Sequence, residues 1–207
     1  DVILAQQGGN NERISWYAND GLGGFGARQE ITTSVVYVHS MYTADLDGDG
    51  DVDLLSASLD DKVAWYENCA SGHVTNYCTA GPNSVSPEGA RIHLNGTPSI
   101  SGNQMSIWAE NLRPNQFGIF FCGLLIQDPP VSFGEGYRCV HLWGLSRLNP
   151  PEHTGTGTVQ RTLDMTVSPL DIISAGDIGY FQFWYRDPPG GPFGFNLSDG
   201  LEITFCP

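Results

Sequence analysis

The feature that most constrains the fold is the acidic segment Asp45-Leu-Asp-Gly-Asp-Gly-Asp-Val-Asp53, in which five aspartates occupy every second position. Carboxylates crowded in this way repel one another unless a cation lies between them. Ca²⁺ takes about six to eight oxygen ligands, and a short loop can supply them when alternate residues point inward. Gly50 lies where such loops turn sharply, a geometry that glycine adopts without steric cost. The segment therefore predicts a calcium-binding loop.

The five aspartates are predicted to share one Ca²⁺ ion in different ways. Asp45, Asp47 and Asp49 would bind it through side-chain oxygens. Asp51 would offer its backbone carbonyl, and Asp53 would close the site with one or both carboxylate oxygens. The alternative is a solvated acidic turn without an ion.

The charge balance of the 207-residue chain favours cations over nucleic acid as partners. Lysine and arginine total 9 against 23 acidic residues, for a formal net charge of -14. Such a chain repels phosphate backbones, so no nucleic-acid partner is expected. Hydrophobic residues make up 40% of the chain, enough for a packed core, and 26 glycines with 13 prolines predict many turns and few long helices.

Several features predict a secreted protein without a transmembrane segment. The longest apolar run, residues 117–126, is interrupted by Cys122 and Gly123 and is too short to span a bilayer. The chain opens on Asp1-Val-Ile-Leu-Ala without a signal-peptide pattern, which we interpret as a processed or trimmed end. Five cysteines without a CxxC pattern favour disulfides in an oxidising compartment.

Two stretches in the first third of the chain repeat one pattern. Each has an apolar strand, a polar turn and a second strand that ends in Trp-Tyr-x-Asn. The copies are Asp1-Val-Ile-Leu-Ala with Arg13-Ile-Ser-Trp-Tyr-Ala-Asn19, and Asp53-Leu-Leu-Ser-Ala with Lys62-Val-Ala-Trp-Tyr-Glu-Asn68. Alternation puts Ile14 with Trp16, and Val63 with Trp65, on one face of their strands. With further strands predicted at 26–32 and 35–44, a repeat of about 50 residues indicates a stacked or propeller architecture.

The acidic segment and the phrase after it resemble the FG-GAP/VCBS-type repeat, the calcium-binding blade of secreted bacterial β-propellers. The stretches that carry the resemblance are Ala44-Asp-Leu-Asp-Gly-Asp-Gly-Asp-Val-Asp-Leu-Leu-Ser-Ala-Ser58 and Val63-Ala-Trp-Tyr-Glu-Asn68, and it covers about residues 1–68. It implies that the acidic loop joins the first two strands of a blade and binds Ca²⁺. It also implies that Asp1 is the last residue of a preceding loop.

The chain departs from this family in having incomplete blades. By the resemblance, the first blade lacks its first strand and the second lacks its last, whereas a closed propeller needs at least about four blades. Open sheet edges invite pairing with another chain. Either the chain is a fragment of a larger propeller, or neighbouring copies of it complete its blades. The expected partner is therefore the rest of that propeller or another copy of the chain.

A change in composition predicts a linker and the start of a second domain at residues 69–87, followed by a β domain at 88–207. Gly, Ser, Thr, Asn and Pro dominate the linker. Alternating runs separated by turn residues then predict strands at 90–94, 104–110, 117–126, 137–142, 157–165, 180–186 and 201–205. The expected fold class is all-β: partial propeller blades plus an antiparallel β-sandwich or jelly roll.

Residues 76–207 resemble a C-terminal domain of secreted planctomycete and myxobacterial proteins. The phrases that carry the resemblance include Asn76-Tyr-Cys-Thr-Ala-Gly-Pro-Asn-Ser84, Phe133-Gly-Glu-Gly-Tyr-Arg-Cys-Val140 and Phe181-Gln-Phe-Trp-Tyr-Arg-Asp-Pro188. The resemblance implies location and architecture more than activity. Cys122 stands where this family has an aromatic residue, which suggests a bridge to Cys139 and a second bridge between Cys78 and Cys206. The sequence does not fix the connectivity.

No catalytic pattern is visible, so no enzymatic activity is expected. The five histidines lack metal-motif spacing, and Gly144-Leu-Ser-Arg-Leu148 departs from a nucleophile elbow at its last position. Glu135, Glu152 and Asp187 are the available carboxylates for glycoside hydrolysis, but a structural role is expected for each. The leading hypothesis is an extracellular structural or adhesion protein that assembles into a surface fibre through its incomplete blades.

The alternative hypothesis is a carbohydrate-binding module with an extracellular polysaccharide as partner. Alternation assigns two sets of side chains to opposite faces of one strand: Phe181, Phe183 and Tyr185, and Gln182, Trp184 and Arg186. If the first set forms the core, Trp184 and Arg186 face outward and could contact a sugar ring or a neighbouring subunit. The other interpretation is a strand that packs apolar side chains on both faces.

Overall fold

The computed structural model describes residues 1–8, 12–46, 51–68 and 74–206. Helix within these residues is limited to two 3₁₀ segments, Leu170–Ile172 and Pro188–Gly190. No helix among them is long and apolar enough to cross a membrane. The predicted all-β fold class is confirmed, and the chain divides into two compact units, residues 1–68 and 69–207.

The first unit contains two antiparallel sheets of three strands each. The first sheet is formed by β1 (Val2–Gln6), β2 (Arg13–Tyr17) and β3 (Gln29–Thr32), and the second by β4 (Val38–Ala44), β5 (Asp53–Ser58) and β6 (Val63–Tyr66). Both sheets follow chain order, as expected for strands joined by short turns. The strands predicted in the two repeat copies and between them are present.

One apolar cluster contains residues from both of these sheets. Ile14, Val38 and Leu54 are buried in it together with Val35, and Tyr66 packs against them. Burying a side chain of this size contributes about 1.5–3 kcal/mol. Val63 and Trp65 share a face of β6 as predicted, but this face is exposed and the inward residue of the strand is Tyr66.

The second unit is a sandwich of two antiparallel sheets. Its strands are β7 (Val74–Tyr77), β8 (Arg91–Asn95), β9 (Ser106–Glu110), β10 (Phe117–Gly123), β11 (Ile126–Phe133), β12 (Gly136–Val140), β13 (Ser146–Arg147), β14 (Glu152–His153), β15 (Val159–Thr162), β16 (Ile178–Arg186), β17 (Phe195–Leu197) and β18 (Gly200–Thr204). The larger sheet has the order β13-β10-β16-β18-β7, with β14 paired to β10 and β17 to β16. The smaller sheet has the order β15-β9-β8.

The core of the sandwich lies between these two sheets. Ile92 and Ile107 of the smaller sheet and Phe120, Phe181 and Phe183 of the larger one are fully buried in one cluster. A second cluster covers the opposite face of the larger sheet. It combines Val140 of the β11–β12 hairpin with residues of β10 and β17, so the hairpin forms a partial third layer.

All seven strands predicted in the second domain are present, but five more that the structure describes, among them β7 and β11, were not predicted. Residues 74–77, assigned to the linker, form β7, an edge strand that pairs with β18. Residues 128–130, an Asp-Pro-Pro segment outside the predicted strands, lie inside β11. Among the described strands β11 pairs with β12 alone, and its register is irregular between Ile126 and Val131. Such edges and bulges are where strands tolerate proline.

Buried polar side chains attach the rest of the predicted linker to the sandwich. The Asn83 side-chain amide donates to the Tyr185 hydroxyl at 2.8 Å, and the Ser84 backbone N–H donates to the Asp187 carboxylate at 2.8 Å. The Asn196 amide donates to the carbonyl oxygen of Pro82 at 2.8 Å. The second unit therefore begins well before residue 88, and Asp187, fully buried, has a structural partner.

The predicted disulfide pairing is wrong. Cys78 is bonded to Cys139, and Cys206 is disulfide-bonded to neither of these two. Alternation along β10 explains the error, because it directs Cys122 into the sandwich core while Phe121 faces the hairpin that carries Cys139. Cys122 is a free, buried thiol, and burial raises its pKa to about 12, so it stays protonated and unreactive.

Asp199 is a buried carboxylate that joins three strands of the second unit. Its Oδ1 accepts the backbone N–H of Ile92 at 2.8 Å, and its Oδ2 accepts the side-chain amide of Asn76 at 3.1 Å. Burial raises the pKa of Asp199 from 3.8 to about 6, although these hydrogen bonds and the nearby His93 and Arg91 favour the charged form.

Protonation of Asp199 is therefore expected to stabilise the fold. The folded state binds this proton more tightly than the unfolded state does. The contribution of the proton to the stability of the fold is therefore complete below pH 3.8 and is lost as the pH rises through 6. As the pH falls from about 7 to about 4, we expect the free energy of unfolding of wild type to rise by on the order of 2 kcal/mol relative to that of Asp199→Asn. Chemical denaturation at each pH measures this difference.

Asp164→Asn provides the matched control. Asp164 is exposed, and hydrogen bonds from Thr166 lower its pKa, so its protonation lies below this pH range. Its stability difference from wild type should stay constant over the range. A constant difference for Asp199→Asn as well would contradict the prediction.

Candidate calcium loop and binding groove

The β4–β5 turn brings the two ends of the acidic segment together. Ala44 at the end of β4 is the Cα partner of Asp53 at the start of β5, so Asp45 and Asp53 flank the same turn. Asp53 is 1% exposed, whereas Asp45 lies at the surface. The predicted ligands Asp47 and Asp49 lie outside the described residues.

Both carboxylate oxygens of Asp53 accept backbone hydrogen bonds. Oδ2 accepts the N–H of Leu46 at 3.0 Å, and Oδ1 accepts the N–H of Asn68 at 2.8 Å. The Asn68 side chain donates in turn to the carbonyl oxygen of Val52 at 3.2 Å. Asp53 thus connects the start of the acidic turn to the end of β6. Each carboxylate oxygen has a second lone pair, so these bonds leave room for a cation.

The first repeat copy contains the same hydrogen bond. Asp1 Oδ1 accepts the backbone N–H of Asn19 at 2.8 Å, as Asp53 Oδ1 accepts that of Asn68. Each pair joins the aspartate at the start of the copy to the asparagine that ends Trp-Tyr-x-Asn. Asp1 is therefore the counterpart of Asp53 in the first copy. The equal position of aspartate and asparagine in the two copies is a sequence signal for this contact.

The chemistry of this turn fits a hard cation. Its five aspartates offer only oxygen donors, the ligands that Ca²⁺ prefers. Within the described residues, which hold three of the five, no cluster of three or more His, Cys, Asp or Glu side chains is able to hold a metal ion. The fit therefore rests on the donor set and on the turn that brings its ends together.

The outer face of the second sheet is apolar and uncovered. Tyr42, Leu55 and Trp65 form one row across β4, β5 and β6, and Val63 lies on the same face of β6. Tyr42, Val63 and Trp65 are 67%, 71% and 49% exposed. On the first sheet, Val2 and Leu4 of β1 are likewise exposed, whereas Ile3 and Ala5 pack in the core. The first unit thus presents exposed apolar side chains on both of its sheets.

A groove of about 760 Å³ lies on the hairpin side of the larger sheet in the second unit. It is lined by Ile119, Phe121, Phe133, Arg138, Leu142, Leu145, Arg147, Asn149, Pro151, Trp184, Phe195 and Leu197. Trp184 is half-buried, and its ring lies 5.5 Å from that of Phe195. This is the size of a typical small-molecule pocket.

The structure separates the side chains predicted to face a ligand. Phe181, Phe183 and Tyr185 form core as expected. Trp184 lines the groove, but the exposed Arg186 does not.

Gln182, which alternation assigns to the same face of the strand as Trp184 and Arg186, is fully buried beneath the hairpin. It donates to the carbonyl oxygens of Tyr137 and Ser198, each at 2.7 Å, and accepts the N–H of Cys139 at 3.0 Å. The hairpin was not predicted, and it covers Gln182 while it leaves Trp184 half-buried and Arg186 exposed.

The remaining candidate carboxylates also have structural partners. Glu152 forms an ion pair with Arg161 at 2.6 Å, and Glu135 accepts the backbone N–H of Phe193 at 2.9 Å. Their separate roles give no support to a paired catalytic arrangement.

Comparison with known proteins bears on the first unit. The sequence model of the FG-GAP-like repeat matches residues 1–56. Comparisons with curated proteins and with solved structures gave no match. The resemblance of residues 76–207 to a planctomycete and myxobacterial domain thus finds no support in them. Over its first 56 residues the chain is similar to an FG-GAP-like repeat, in agreement with the repeated three-stranded sheets.

Proposed function

We propose that the chain is a non-catalytic, calcium-stabilised structural or adhesion module that acts outside the cell. The FG-GAP-like match supports a β-propeller-type extracellular or adhesion-like module. Within the described residues, the carboxylates considered for catalysis are engaged in structural contacts. The cysteine usage fits an oxidising compartment, since one disulfide closes within the second unit.

Calcium would act on the β4–β5 turn. Asp45, Asp47 and Asp49 would bind it by side chains, Asp51 by its carbonyl and Asp53 by its carboxylate. The ion would neutralise carboxylates that the turn holds close together. Asp53 would link this effect to the sheet through its bonds to Leu46 and Asn68.

The uncovered apolar face of the second sheet carries the assembly part of the proposal. Natural sheets rarely leave such a face in water, and contiguous exposed apolar patches mark interaction surfaces. The row Tyr42, Leu55 and Trp65 would pack against an equivalent sheet of a neighbouring copy, as successive propeller blades pack. Copies joined in this way would form a surface fibre.

Substitutions on this face test the assembly. We expect Val63→Glu with Trp65→Ser to reduce the mass measured by light scattering to that of one chain, because a charge and a hydroxyl replace the apolar contact. Leu22→Glu is the control, since Leu22 is 93% exposed in a turn outside both sheets. Unchanged mass in the double variant, or a monomeric wild type, would contradict the assembly proposal.

Carbohydrate binding is the second candidate function. Trp184 on the groove favours it, because aromatic rings stack on sugars, but Arg186 adds nothing to the same site. In this case we expect an immobilised polysaccharide to bind the wild-type protein in a pull-down experiment and not to bind Trp184→Ala.

A further inference from the structure

The groove on the larger sheet is an apolar surface that the calcium loop does not explain. Nine of its twelve lining residues are apolar. Phe121 and Leu197 are buried, whereas Phe133 and Leu142 are exposed at 44% and 61%. Exposed aromatic and aliphatic side chains around a concave surface are typical of a ligand site. The groove therefore fits a molecule with an apolar body.

The polar groups of the groove are two arginines and one asparagine. Arg138 belongs to the hairpin strand β12, and Arg147 to β13, where it is the register partner of Phe121. Two guanidinium groups at one apolar groove are notable in a chain with 9 basic and 23 acidic residues. Their charge selects an anionic group on the ligand.

The guanidinium groups of the two groove arginines are not engaged by any described carboxylate, a property that they share with several other arginines of the chain. Arg91 and Arg161 form ion pairs with glutamates at 3.0 and 2.6 Å. Neither groove arginine forms an ion pair with any carboxylate that the structure describes. Arg138 Nε donates to the Val140 carbonyl oxygen at 3.2 Å, which holds this guanidinium at the groove. A guanidinium offers several N–H donors in a planar fork that matches a carboxylate.

We propose that this groove binds an amphipathic carboxylate, a molecule with an aromatic or aliphatic body and one terminal carboxylate. The body would lie on Trp184 and Phe195, and the carboxylate would pair with Arg138 and Arg147. Sugars fit this surface poorly, because they need many hydrogen-bonding partners and the lining offers few. The inference concerns the second unit alone and does not rest on calcium binding or on assembly.

Three ligands with the same body and different head groups test the proposal. The probes are 4-phenylbutyrate, 4-phenylbutan-1-ol and 4-phenylbutylamine, titrated against the full chain by calorimetry, with an uncharged oligosaccharide in parallel. We expect the carboxylate to bind about tenfold more tightly than the alcohol, because charge-assisted hydrogen bonds are the stronger kind, and the amine not to bind. Equal binding of all three, absence of any binding, or tighter binding of the oligosaccharide would overturn the proposal.

Arginine variants locate the carboxylate. Arg138→Gln and Arg147→Gln should each weaken the binding of 4-phenylbutyrate about tenfold and leave the binding of 4-phenylbutan-1-ol unchanged. Arg147 is exposed, so its variant keeps the test valid if loss of the Arg138 contact disturbs the hairpin. Arg186→Gln is the matched control, since it removes the same charge from the same sheet outside the groove. Equal losses in Arg186→Gln and Arg147→Gln would overturn the proposal.

Discussion

Replacing both Cys78 and Cys139 by serine is expected to lower the free energy of unfolding of the second unit by about 4 kcal/mol. The bond closes a loop with a sequence separation of 61, and the loss of this constraint gives the unfolded chain more conformational freedom. It also joins the segment just after β7 to β12 of the hairpin, where the Cys139 N–H donates to the buried Gln182. The measurement is denaturant unfolding of wild type and variant under non-reducing conditions.

Cys122→Ser is the control for this experiment. Cys122 is a free thiol in the sandwich core, so its replacement removes no cross-link and costs only the burial of a hydroxyl, about 1–3 kcal/mol. Reducing agent should therefore destabilise Cys122→Ser as it does wild type. The account of the disulfide is wrong if the double serine variant unfolds at the denaturant concentration of wild type.

Replacing Asp53 by alanine is expected to destabilise the first unit by about 3 kcal/mol and to abolish its response to calcium. Two backbone N–H groups, of Leu46 and Asn68, lose a charged acceptor at a buried position, and each unpaired donor costs about 1–3 kcal/mol. The loop would also lose its predicted closing ligand. Calorimetric melting in calcium and in EDTA measures both effects.

Asp1→Ala separates the effect of the hydrogen bond on stability from the effect of the calcium ion. Asp1 makes the equivalent bond to Asn19, so its variant should lose stability and still respond to calcium. Asp49→Asn should behave in the opposite way, because it removes a predicted ligand and leaves the contacts of Asp53 in place. A calcium response that survives in both Asp53→Ala and Asp49→Asn would contradict the assignment of the loop.

Local patterns in the sequence predicted most of the strands. Alternation along β16 placed Phe181, Phe183 and Tyr185 in the core, because a half-buried strand alternates its side chains between two faces. The repeated Trp-Tyr-x-Asn phrase predicted the strands of two similar sheets in the first unit. These features depend on neighbouring residues alone, so a single sequence contains them.

Features that depend on distant contacts were not predictable in this way. Gln182 is buried because a hairpin more than 40 residues earlier in the chain covers it. Cys139 is bonded to Cys78 and not to Cys122, because the Cys122 side chain lies on the face of β10 that packs in the sandwich core. The spacing of the cysteines in the sequence does not reveal this orientation. The groove likewise combines side chains from the hairpin and from strands of the larger sheet, and alternation identified only Trp184.

The predicted calcium loop adjoins the uncovered sheet. Asp53 begins β5, the central strand of the sheet whose outer face bears Tyr42 and Trp65. A turn ordered by calcium would hold β4 and β5 in the register that forms this apolar row. Loss of the ion should therefore weaken both the stability of the first unit and the contacts made by its face.

The most direct measurement is the mass of the wild-type protein by light scattering, first in calcium and then after addition of EDTA, with the melting temperature recorded in both. We predict multimers in calcium that dissociate on chelation, together with a lower melting temperature. The same mass and the same melting temperature in both conditions would contradict the claim that calcium holds this module in its assembling form.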